Sequence, residues 1–100
     1  MKVIWSPLAE RRAVEAVEFI GADRPGTATA WLKELLERVR VLHAFAKRGS
    51  VVPEIGKATH RQLFHDPSRI IYRIDASWVV ILTIHHGRRA WDPADVASGA

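Results

Sequence analysis

Apolar positions change their period once along this chain, from three-to-four-residue spacing before about residue 50 to two-residue alternation after it. The change predicts a helical front and a stranded back. Lys2-Val3-Ile4-Trp5 is a short β-prone run, and Ser6-Pro7 behind it supplies a serine suited to cap a helix and a proline suited to its first turn. Ala9, Ala13, Ala16, Val17 and Ile20 then form an apolar stripe, with Gly21 as its stop. A second stripe, Ala28, Leu32, Leu35, Leu36, Val39 and Leu42, follows Asp23-Arg24-Pro25-Gly26 and predicts a helix running toward Ala46 and stopped by Gly49. The short connection makes the two an antiparallel helical hairpin.

Behind Gly49 the pattern predicts strands. Ser50-Val51-Val52-Pro53 is a brief extended piece, His60 to Phe64 a strand, Arg69 to Ile74 a stronger one and Trp78 to His85 the strongest. Alternation puts Ile70, Tyr72 and Ile74 on one face and Arg69, Ile71 and Arg73 on the other, so two arginines share a face. Asp75-Ala76-Ser77 is a hairpin connection, and the almost unbroken apolar run from Trp78 to Ile84 is that of a central strand covered on both faces. The predicted fold class is α+β: an N-terminal strand, an antiparallel helical hairpin, then a three- to four-stranded antiparallel meander with the helices packed on one sheet face.

One hundred residues, 48% hydrophobic and 26% charged, suit a single globular domain over 1–100. The absence of cysteine excludes a disulfide scaffold and a thiolate metal site. No signal-peptide run and no long apolar stretch is present, so the expectation is a cytoplasmic protein with no membrane partner. The formal charge of +4 is unevenly placed: residues 1–56 hold nine Lys/Arg against seven Asp/Glu, and residues 57–89 hold six against two. Four of the five histidines, His60, His65, His85 and His86, lie in that second stretch. An anionic partner fits such a face, as does solvent alone.

The element order, together with Val52-Pro53-Glu54, Arg69-Ile70-Ile71-Tyr72-Arg73 and Ile84-His85-His86-Gly87-Arg88-Arg89, resembles the RelE/ParE superfamily of type II toxins, from Trp5-Ser6-Pro7 to Trp91. The resemblance implies a growth-inhibiting toxin held inactive by a cognate antitoxin, with operator DNA reached through that antitoxin. It also implies one of two targets. ParE-like members poison DNA gyrase by binding, whereas RelE-like and YoeB-like members are ribosome-dependent, metal-independent endoribonucleases acting on mRNA. The ending His-x-Arg-Arg followed by an aromatic residue favours the gyrase reading; the ribonuclease is the alternative.

RNA cleavage without metal needs a base for the 2′-hydroxyl, charge for the transition state and an acid for the leaving oxygen. By resemblance to YoeB-like members, Glu54, Arg69 and His85 or His86 match those roles. Arg61, Arg73, His86, Arg88, Arg89 and Trp91 are the candidates for binding target or antitoxin, Trp91 as a stacking surface and Arg88 with Arg89 as a phosphate-reaching pair. Plainer readings stand beside these. Glu54 reads as a solvated loop acid, Arg69 and Arg73 as a docking surface for an acidic antitoxin segment, and one of the two adjacent histidines as structural because alternation turns it coreward. Tyr72, Trp5, Trp31 and Trp78 read as core or interface aromatics. His60 and His65 lack a third ligand at metal spacing, so neither a metal nor any cofactor is expected.

Overall fold

The computed structural model describes residues 1–87 and 91–94. Strand β1 (Lys2–Trp5) leads into α1 (Pro7–Gly21) and α2 (Pro25–Val41), and a short 3₁₀ turn, Ala46–Arg48, leads to β2 (Ser50–Val51), β3 (His60–His65), β4 (Ser68–Ile74) and β5 (Trp78–His86). The sheet order is β1-β5-β4-β3-β2, with β1 parallel to β5 and the other pairs antiparallel. The predicted meander is therefore present with four strands, and β1 joins it beside the chain's last strand.

Ser6 explains the entry to α1. Its hydroxyl oxygen accepts from Ala9 N at 3.0 Å, capping the helix, and donates to Leu82 O at 2.8 Å, while its own N–H donates to Ile81 O at 2.9 Å. One residue thus ends β1, starts α1 and ties both to β5. Ala9 and Ala13 of α1 and Ala28, Trp31, Leu35 and Val39 of α2 are buried. The helices cover the sheet face that carries Ile70, Tyr72, Val79, Ile81 and Ile84. The opposite face has a smaller core in which Val52, Ile71, Val80, Leu82 and Trp91 pack together.

Three expectations need correction. The second helix ends at Val41, well short of Ala46, because the chain must reverse there: Phe45 takes a non-helical conformation, and Leu42, fully buried, turns under the helix. Leu36, placed on the buried stripe by spacing, is half exposed. Trp78 is 39% exposed, at the sheet end, where the Lys2 ammonium lies 5.4 Å from its ring centroid.

A β-bulge breaks the β4–β5 register. Ile71 pairs with Thr83 but Tyr72 pairs with Ile81, so Leu82 is an extra residue on β5. Val80 and Leu82 both reach the smaller core, and the parity of β5 is then reset so that Ile84 points under the helices.

Candidate functional site

The reset of parity decides which histidine meets the arginine. Arg69 and His85 stand opposite each other in the β4–β5 ladder, on the face turned away from the helices, and His85 lies 6.4 Å from Trp91 between ring centroids. His86 points to the helical side, where its ring meets Phe19 of α1 edge-on at 5.1 Å. The candidate triad of Glu54, Arg69 and His85 is thus assembled on one face, and His86 leaves β5 on the other, although His85 and His86 both line the cleft beside α1.

Arg69 is only 3% exposed. Its Nη2 donates to Glu54 Oε2 at 2.7 Å, and its Nη1 donates to Glu54 Oε1 at 3.2 Å and to Gln62 Oε1 at 2.7 Å. The two-pronged bond to a carboxylate is the strong, orienting geometry available to a guanidinium. Glu54 reaches it because Val52 O accepts from Ile55 N and Gly56 N, and Gly56, at φ +71°, closes that turn. The Arg69 guanidinium holds the Glu54 carboxyl below the usual carboxylate range. The main-chain N–H of Trp91 also donates to Glu54 Oε2, at 3.4 Å, so Trp91 lies beside the pair.

The expected open cationic face of Arg69 with Arg73 is therefore not found. Both side chains do leave β4 on the same face, but Arg69 is buried against a carboxylate, and Arg73 bonds Asp75 through Nε at 3.1 Å and Nη2 at 3.2 Å. Arg61 lies on the opposite face of β3, where it donates to Ala58 O and Gly49 O at 3.0 Å and to Lys47 O at 3.5 Å, stapling the approach to β2. Trp91 is buried rather than presented for stacking. Arg88 and Arg89 lie outside the described residues. His60 and His65 point to opposite faces of β3; the buried His65 ring packs on Trp31, 5.1 Å between centroids, while His60 Nδ1 bonds Thr59 Oγ1 at 2.9 Å.

Spacing did not reveal Gln62 or the cleft, and it offered Trp91 only as a stacking surface. Gln62 completes the Arg69 shell from the neighbouring strand, Trp91 closes it through its backbone, and a cleft of about 460 Å³ opens between α1 and the end of the β4–β5 hairpin, bounded by Phe19, Ser68, His86 and Trp91 among others. Only the β3–β4 register places Gln62 beside Arg69.

As chemistry, the site resembles a structural ion pair more than a poised acid–base couple. A general base works best with a pKa near the operating pH, and a carboxylate saturated by guanidinium is moved the other way.

The family model for the ParE toxin of the type II toxin–antitoxin system parDE matches residues 3–91. A solved structure titled "Chromosomal ParDE TA system from P. aeruginosa" is similar in fold, with a TM-score of 0.74 and 20% sequence identity over 88% of this chain and 97% of that one. No curated protein matches the sequence. With the strand–hairpin–meander order in place from β1 to Trp91, and the match extending over that same stretch, the chain belongs to the ParE toxin family of type II toxin–antitoxin systems.

Proposed function

We propose that this chain is a growth-inhibiting toxin neutralised by a cognate antitoxin, and that it acts as a ParE-like inhibitor of DNA gyrase by binding rather than by cutting RNA. The carrying observation is the Glu54–Arg69 pair. The two side chains that a ribonuclease of this fold would use as base and phosphate clamp are bonded to each other, with side-chain exposures of 16% and 4%. Binding RNA there would require breaking a buried bidentate ion pair before any contact with phosphate. A binding toxin has no such requirement, since the pair then serves as part of the scaffold that holds Trp91.

The antitoxin is proposed to cover the toxin surface that meets the target and to carry the complex to operator DNA. The test compares two readouts for the purified toxin. In a supercoiling reaction with gyrase, cleaved DNA accumulates with toxin and disappears when the antitoxin is added first; ribosome-bound transcripts mapped by primer extension remain intact. Codon-phased cuts that vanish in Arg69→Ala, with gyrase unaffected, would overturn the reading in favour of the ribonuclease.

A further inference from the structure

The end of the sheet at β2, β3 and the 3₁₀ turn carries a concentration of cations, Arg61 and Arg73 among them, on which the Glu54–Arg69 argument for the gyrase reading does not draw. Lys47 and Arg48 lie on the turn, and Arg61 ties that turn to the β3 approach through its bonds to the carbonyls of Lys47, Gly49 and Ala58. Arg61 Nη2 makes no bond among the described residues. Lys57 precedes β3, its carbonyl accepting from His60 N at 3.0 Å, and His60 stands opposite Arg73 in the ladder. On the helix side, Arg38 and Arg48 flank a small cleft with Glu37, whose carboxylate is bonded to Arg40 at 2.7 Å.

Lys47, Arg48, Lys57, Arg61 and Arg73 lie around this end, with Asp75 bonded to Arg73, and Arg38 and Arg40 continue along α2, where Arg38 donates to Phe64 O and Arg40 to Glu37. The His60 imidazole registers that field: burial first, then Arg73 and Lys57, push its pKa down.

We infer that this corner binds the phosphodiester backbone of duplex DNA, without reading sequence. Several features favour phosphate over an acidic polypeptide. A protein interface takes a desolvated apolar centre, whereas the cations here are interspersed with the exposed hydroxyl residues Ser50 and Thr59, and the exposed large apolar side chains beside them are Val51, 39% exposed, and Phe45, 63% exposed at the start of the turn. Lys47 and Arg48 on the turn, Lys57 on the loop before β3 and Arg61 on β3, joined by the Arg61 staple, suit a charged ridge that a backbone can follow. Contacts of this kind release counterions and confer affinity independent of base sequence.

The test is fluorescence anisotropy of the full chain with a labelled duplex, without gyrase, so that it stands or falls separately from the choice of target. With about four phosphates neutralised, log K falls against log[salt] with a slope of about −3 to −4, a loss of about 100-fold between roughly 50 and roughly 200 mM salt. Lys47, Arg48 and Lys57 make no side-chain bond among the described residues, so K47A/R48A/K57A keeps the fold, checked by circular dichroism. That variant is expected to reduce the slope by about 2 to 3, with equal loss on unrelated duplex sequences. No binding at low salt, or a slope unchanged in the triple variant, would overturn the inference. So would polyglutamate competing as well as an unlabelled duplex, because the corner would then be an acidic-protein site.

Discussion

At the scale of single residues, Glu54 and Arg69 are best described by what each would be without the other. A buried guanidinium stripped of its carboxylate keeps its desolvation cost and loses its compensation, so Glu54→Ala is expected to destabilise the fold by about 3 kcal/mol in urea titration. Replacing both by apolar residues is expected to recover most of that loss, since the remaining penalty belongs to the unpaired charge. The same pair sets an acid limb. Because the folded pKa of Glu54 lies below its unfolded value of about 4.3, its stabilisation is complete above that value and is lost as pH falls through the folded pKa. Glu54→Gln should therefore flatten the fall in stability below about pH 4, and a parallel acid limb in both proteins would contradict this account. His60 adds a trend of the same sign: its lowered folded pKa means that protonation near the ordinary histidine value favours the unfolded chain.

Among the elements, the joint between α2 and the sheet is the most constrained. The Tyr72 hydroxyl, on a residue with no exposed surface, donates to Ala46 O at 2.7 Å and accepts from Gly49 N at 2.9 Å, fixing both ends of the 3₁₀ turn. Burial pushes the Tyr72 phenol up, so it remains a neutral donor. Gly49 is required there for space: a Cβ would sit 2.4 Å from Gln62 O and 2.8 Å from the Tyr72 hydroxyl, and the first of these is backbone. Gly49→Ala is expected to lift β2 from β3 and cost about 2 kcal/mol, seen as a lowered Tm. Tyr72→Phe should cost a similar amount, about 1 to 3 kcal/mol, by leaving the Gly49 N–H buried without an acceptor. The Met1 amine, which donates to His43 O at 2.9 Å, and the contact of His43 Nδ1 with Met1 O tie the β1 end to the stretch just beyond α2.

For the whole molecule, the sheet separates two environments: helices cover one face, and the other is covered by the Val52–Ile55 turn and Trp91. Trp91 is a distant residue acting as core, so Trp91→Ala should destabilise by about 3 kcal/mol and admit water to the Glu54–Arg69 pair, measured by denaturant titration and amide exchange at Gln62 and Arg69. Helix starts, strand positions, the apolar stripe of α1 and the sharing of one face by Arg69 and Arg73 were all legible in the sequence, because caps, periodicity and pleat are properties of neighbouring residues. The grouping of Glu54, Arg69 and His85 was legible as well, through the resemblance. Whether that group is open or closed was not. Gln62 and Glu54 meet Arg69 only through β2–β3–β4 pairing and the turn at Gly56, and His85 rather than His86 faces it only because Leu82 is an extra residue in the ladder. Local pattern determined which elements form and which way their faces alternate; tertiary pairing decided which charges are neutralised, since an ion pair depends on partners brought close from separate segments and on the water excluded around them.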